Sequence, residues 1–429
     1  MALTVSASGT HLERDGVFLP LLIDTAWAAL SDATEEDWRL YLSLRRRQGF
    51  TAVILTVLPI VHDRIEGRRS RYPYRRLTDG GFDWEQPDDG YFETARRFVE
   101  IARSEYRLEV ILAVTWTNYL PGTWASRVPP SVVMPPPVLR RHVARVADTF
   151  GPLEPVFAIG GDDGYDSPAA NQLYHEVIDI LRERAPGTLI TTHAAPNPYT
   201  PAELLDRLDF HLYQSGHNVD LQSSAWEQAM ALSAREPRRP VVNVEPPYEW
   251  HGMINGSGRW GPAELRCAEW ASVLAGAGAG MGYAAHGVWM WATTDGRFLH
   301  DGDSLEPATW VEAMSFPGVR DVALLGHLLA AHRLHRLREA QHLLPEPPDA
   351  GFRAGAAPDG SLLALYLPYG RRLRVAADLT RYRITAWDLA ERSPFVPELE
   401  QVDGGTVVRP SGARQDALVV AERDPIQAG

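Results

Sequence analysis

The chain has 429 residues, 45% of them hydrophobic and 23% charged. That is an ordinary globular balance, with room for about two to three domains, or one large barrel with an appendage. With 55 acidic against 42 basic residues, the net charge of −13 argues against nucleic acid or an anionic membrane surface as the main partner.

The N-terminal stretch MALTVSASGTHLERDG has no basic segment leading into an apolar core. It does not read as a signal peptide, so a cytoplasmic location is the default expectation. No run of about 18 apolar residues predicts a membrane span. Residues 3–22 predict a β-hairpin turning at Asp15-Gly16. The chain then alternates. Strand-like runs are predicted at Leu19–Ile23 and at 51–58, 108–114, 155–160, 188–192, 208–213, 240–244 and 286–292. Helix-like segments between them include Glu35 to Gln48, Tyr91 to Tyr106, Ala169 to Arg184 and Pro262 to Ala275. Thr34 before three acids, and Pro168 and Pro262 in first turns, mark helix starts. The prolines of Val128-Pro-Pro-Ser-Val-Val-Met-Pro-Pro-Pro mark a loop. The single cysteine, Cys267, excludes an intrachain disulfide and reads as a packed residue of the helix at 262.

About eight strand–helix units before residue 300 predict an α/β fold closed into a (β/α)8 TIM barrel. An open nucleotide-binding sheet would want a Gly-rich loop after an early strand; Gly160-Gly161 is followed instead by acids, which repel phosphate. A last helix is predicted from Asp321 to Glu339, and the prolines after Leu344 break the pattern. Short strand-like runs follow at Ser361 to Leu367, Leu373 to Ala376, Tyr382 to Trp387, Gly405 to Val408 and Ala417 to Val420, an all-β pattern. The expected division is a barrel with its N-terminal hairpin over 1–340 and an accessory β domain over 341–429.

Barrel enzymes hold their working groups at the C-terminal ends of strands. Those positions carry Asp24 and Trp27, Trp116 and Tyr119, Asp162, His193, Gln214 and His217, Glu245 and Tyr248, and His286 with Trp289. Acids, amides and histidines for hydroxyls, with aromatic faces for a ring, suit a sugar. Cleaving a glycosidic bond typically needs two carboxyl groups, and Asp162 and Glu245 end strands that are not neighbours. Taken singly, a strand-end acid is more often a cap or a loop anchor, and Asp163, Asp166 and Glu249 are read that way. A lone pocket histidine is more often hydrogen-bonded than metal-bound. Without an H-E-x-x-H or paired-Cys spacing, no metal and no cofactor is expected.

Several segments carry a family resemblance: Phe18-Leu-Pro-Leu-Leu-Ile-Asp-Thr-Ala-Trp27, Ile159-Gly-Gly-Asp162, Leu208-Asp-Phe-His-Leu-Tyr-Gln-Ser-Gly-His217, and Arg239-Pro-Val-Val-Asn-Val-Glu-Pro-Pro-Tyr-Glu249. The run Leu274 to Trp289 continues them in the same order. The chain resembles the apiosidase-like glycoside hydrolases over about residues 15–295, and more weakly through the C-terminal β-sandwich that the family often carries. The resemblance implies a retaining, exo-acting glycosidase with Asp162 as general acid/base and Glu245 as nucleophile. His193, Gln214 and His217 would lie near the sugar, with Tyr248 orienting Glu245, Asp24 accepting from sugar hydroxyls and Trp27 forming a wall. Asp163 stands where the family usually has a basic residue, and Asn243-Val-Glu245 where it commonly has Asp-Gly-Glu. The sugar is left as apiose, another furanose, or a pentose or deoxy sugar. The expected partner is a small glycoside or oligosaccharide, with a homo-oligomer left open. Two other readings stand beside this one: a non-catalytic carbohydrate-binding barrel, and a metal-assisted hydrolase using His193, His217 and His286.

Overall fold

The computed structural model describes residues 3–62, 65–66, 70–128, 132–196, 200–298 and 305–423. Residues 129–131 of the predicted proline-rich loop and residues 424–429 lie outside the described residues. The hairpin forms as expected. Leu3–Val5 pairs with Leu12–Arg14, which pairs with Val17–Phe18. Asp15 and Gly16 both have positive φ, 58° and 72°, as a primed two-residue turn requires.

Eight parallel strands follow: β1 (Leu21–Thr25), β2 (Ala52–Thr56), β3 (Glu109–Ala113), β4 (Val156–Asp163), β5 (Ile190–Ala194), β6 (His211–Gln214), β7 (Val241–Glu245) and β8 (Gly280–Tyr283). Their order in the sheet is β5-β4-β3-β2-β1-β8-β7-β6. At the β5/β6 seam the Asp209 amide donates to the Ile190 carbonyl at 2.8 Å, and the Thr191 hydroxyl to the Phe210 carbonyl at 2.9 Å. The ring is therefore nearly closed, a (β/α)8 barrel. The strands are buried almost throughout, which explains their unbroken apolar runs.

A helix follows each strand: α1 (Glu35–Arg47), α2 (Asp89–Glu100), α3 (Pro136–Phe150), α4 (Pro168–Arg184), α5 (Ala202–Leu205), α6 (Ser224–Ser233), α7 (Pro262–Leu274) and α8 (Gly318–Ala331). Thr34 and Asp37 close a reciprocal cap on α1, and the Ser167 side chain caps α4 ahead of Pro168. α8 stops before the expected Glu339, because Arg333 adopts a left-handed φ of 50°.

One predicted strand is corrected. Residues 286–292 form turns, and the eighth strand is Gly280–Tyr283. It is rich in glycine, which lowers strand propensity. The glycines are needed for close packing: a Cβ on Gly280 would strike the Leu21 backbone, and one on Gly282 the Val244 backbone.

Beyond the barrel lie a six-stranded and a three-stranded antiparallel sheet. Leu362–Leu367 and Ala417–Glu422 are central in the larger one. Leu362, Ala364, Tyr366, Leu418 and Val420 join the barrel's apolar core. The alternate residues Leu363, Leu365, Leu367, Val419 and Ala421 form a second core with Leu373, Val375 and Val408 of the smaller sheet. Each strand is thus apolar on both faces, one for the barrel and one for the sandwich. A buried ion network crosses the same junction. Arg266 of α7 donates to Asp416 at 2.8 and 2.9 Å and to Asp321 of α8 at 2.9 Å, and Arg392 reaches Asp321 at 2.6 Å.

Candidate active site

The C-terminal ends of the strands surround a cavity of about 490 Å³. β4 delivers Asp162 through a bulge. Gly161 pairs with His193 and Asp163 with Ala194, so Asp162 is an extra residue between two rungs. Its φ of 54° is left-handed, which an aspartate tolerates better than most residues. The two glycines before it make room for rings. A Cβ on Gly161 would fall inside the Trp116 ring, and one on Gly160 would clash with Tyr174. Asp163 locks the bulge from behind, accepting from the Tyr174 hydroxyl at 2.7 Å and the Tyr165 amide at 2.9 Å.

β7 delivers Glu245 beside a second irregularity. Tyr213 pairs with Asn243, but Gln214 pairs with Glu245. Gln214 then links the two acids, because its side-chain amide donates to Asp162 Oδ1 at 2.5 Å. Both carboxylates line the same cavity.

Their surroundings differ. Glu245 is 7% exposed, and His193 Nε2 lies 3.0 Å and His217 Nε2 3.1 Å from its oxygens. The Tyr248 hydroxyl stands beside it and accepts from Trp27 Nε1–H at 3.1 Å. Burial opposes its charge, yet the hydrogen bonds from His193 and His217 hold the carboxyl well below the usual range. The Tyr248 amide donates to His217 Nδ1 at 3.2 Å, which leaves Nε2–H to face Glu245. Glu249 anchors the loop: its carboxylate accepts from Tyr283 at 2.6 Å and from the Gly318 amide that opens α8 at 3.0 Å. Among the described residues Asp162 has fewer donors around it. Besides Gln214, His62 Nε2 stands 3.5 Å from Oδ2.

Of the residues expected from sequence, Trp27, Trp116, Asp162, Gln214, His217, Glu245, Tyr248 and Trp289 line the cavity. Four take places behind it. Asp24 is fully buried and accepts from Tyr41 at 2.5 Å and Arg45 at 2.6 Å. The Tyr119 hydroxyl donates to the Pro59 carbonyl at 2.7 Å. His193 sits under Glu245, and His286 bonds the Leu305 carbonyl at 2.8 Å and accepts from Trp289 at 3.2 Å. Among the described residues no group of three or more His, Cys, Asp or Glu side chains is gathered to hold a metal.

Sequence reading missed His62, Trp124, Asn218 and His251 on the wall. His62 follows β2, the one strand end left unread. His251 lies two residues past Glu249, where its ring stacks on His217 at 4.5 Å. Burial presses the His251 imidazole well below its ordinary value, so it stays neutral. Trp124 sits in an irregular loop where no periodicity marks it.

A family model described as "Apiosidase-like, catalytic domain" matches residues 7–336. Solved structures share the fold at low identity. One titled "Glycoside hydrolase" is 16% identical with a TM-score of 0.78, over 99% of this chain and 97% of its own. A family 5 glycoside hydrolase from Bacteroides vulgatus is 17% identical with a TM-score of 0.74, over 98% and 93%. A family 5 mannosidase from Rhizomucor miehei is 11% identical with a TM-score of 0.52, over 78% and 98%. No curated protein matches the chain. Among the described residues no helix is long and apolar enough to cross a membrane.

Proposed function

This chain belongs to the family of apiosidase-like catalytic domains and is a glycoside hydrolase; from that premise we propose that it removes a terminal sugar from small glycosides with retention of configuration. The observation that carries this reading is the contrast between two carboxylates in one cavity. Glu245 receives donors from His193 and His217, which keep it ionised as a nucleophile must be. Asp162 ends another strand on the same cavity, with the Gln214 amide and His62 beside it among the described residues, which is where a general acid/base would stand.

In the first step Glu245 attacks the anomeric carbon while Asp162 gives its proton to the departing oxygen. In the second, Asp162 takes a proton from water, which attacks the same carbon and frees Glu245. Trp27, Trp116 and Trp289 line the cavity and supply aromatic walls for the sugar ring. A cavity of about 490 Å³ suits one sugar and its leaving group, which favours exo action. The sugar is an apiose-like furanose or another pentose or deoxy sugar. The proposed division remains a catalytic barrel over 1–340 with an accessory domain over 341–429.

The test is a panel of nitrophenyl glycosides, furanosides included, with wild type, Asp162→Ala and Glu245→Ala. One sugar should be cleaved by wild type, with kcat lower by about 10²–10⁴-fold or more in each variant. The product's anomeric configuration, read by NMR in the first turnovers, should match the substrate's. Near wild-type rates in both variants, or inversion, would overturn the mechanism.

A further inference from the structure

The leaving group must depart beside the proton donor, so the walls around Asp162 define what it can be. Trp124 is fixed there: its indole N–H donates to the Asp162 carbonyl at 2.8 Å. A single exposed tryptophan is ordinary on a protein surface. This one is 43% exposed, tied to the main chain of the acid, and 5.8 Å from the His62 ring at an angle of 35°. Two flat rings thus stand together at the rim on the Asp162 side.

Ile60 and Pro196 extend the same wall. Both are held. The carbonyl of Pro59 accepts from Tyr119, and Pro196 rests on Gly216, where a Cβ would lie 2.6 Å from its Cγ. His217, Tyr248 and His251 cluster with Glu245. The wall next to Asp162 continues through Ala195, whose amide donates to the Asp163 carbonyl at 3.0 Å, with Pro196 beside it, and Gln214 is already bonded to Asp162. A planar apolar ring stacks on such a wall and needs no partners for hydroxyls.

We propose that Trp124, with Ile60, His62 and Pro196, forms a leaving-group subsite for an aromatic aglycone, so that the substrates are aryl glycosides rather than oligosaccharides. This rests on the proposed role of Asp162 as the acid, but binding can be tested without turnover. The probes are free 4-methylumbelliferone and cellobiose, titrated by calorimetry into wild type, Trp124→Phe, Trp124→Ala and Ile60→Asn, with Tm recorded for each.

4-Methylumbelliferone should bind wild type and Trp124→Phe, which keeps a flat ring. It should bind at least about 10-fold more weakly to Trp124→Ala, the stacking contribution of one ring. Ile60→Asn should weaken it too, which covers the case in which Trp124→Ala fails to fold. Cellobiose should give weaker binding than the aryl probe. Equal affinity in all folded variants, no aryl binding to wild type, or preferential binding of cellobiose would overturn the subsite. Because the readout is binding, it stands apart from the glycoside panel. Loss of the Asp162/Glu245 mechanism would show in rates, and loss of the aryl subsite in these affinities.

Discussion

At the scale of single residues, His193 shows how far a side chain can act without touching the cavity. It is fully buried, and its Nε2 faces Glu245. Removing it takes away a donor that keeps the carboxylate charged, so the Glu245 carboxyl should titrate higher. His193→Ala is therefore expected to move the acid limb of the kcat/KM–pH profile to higher pH and to lower kcat at least about tenfold. An unmoved acid limb would show that His193 only fills space. The same residue marks the limit of sequence reading. A strand-end position gives a side chain's height in the barrel but not its direction. Asp162, Gln214 and Glu245 point into the cavity, whereas Asp24 meets Arg45, a partner on α1 that no local pattern announces.

At the scale of elements, β-strands that lie under both helices and neighbours were legible because burial on two faces makes them continuously apolar. β8 was not, because close approach there demands glycine, which lowers strand propensity. The fit of α3 against the barrel adds a pH-dependent term. His142 is fully buried, accepts from the Tyr74 hydroxyl at Nδ1 and bonds the Val114 carbonyl through Nε2, both at 2.9 Å. That pattern fits the neutral ring. Burial holds its pKa down to about 4. Between the ordinary value near 6.5 and about 4, the unfolded chain binds a proton here that the folded chain does not. Stability should therefore fall as pH drops through that window, by about 3 kcal/mol from this residue at full protonation. Tm measured from pH 7 to 4 should drop less steeply in His142→Gln than in wild type. Parallel curves would assign the acid sensitivity elsewhere.

At the scale of the whole molecule, the C-terminal sheets were legible as strands of a domain accessory to the barrel, but the residues that seat them on it were not. The strands show which residues alternate, and only the assembled structure shows that both faces are covered. Arg266 lies at this junction, 4% exposed and held by Asp416 and Asp321. Asp416→Ala leaves a buried guanidinium with one carboxylate fewer, and is expected to cost about 3 kcal/mol and several degrees of Tm. Breaking the exposed Arg409–Glu400 pair with Glu400→Ala should leave Tm nearly unchanged. If the two substitutions behaved alike, the junction network would contribute no more than a surface pair.

The doubly covered sheet also bears on how this protein can be cut, shuffled or shortened. Separating the two parts would uncover Leu362, Tyr366, Leu418 and Val420 on one fragment and their apolar seat on the other. Each piece would leave the ribosome with an adhesive patch that finds its own kind. The accessory sheets thus behave less like a detachable tag than like a lining sewn into the barrel, and a gene fusion that borrowed either half would have to carry a substitute for the other.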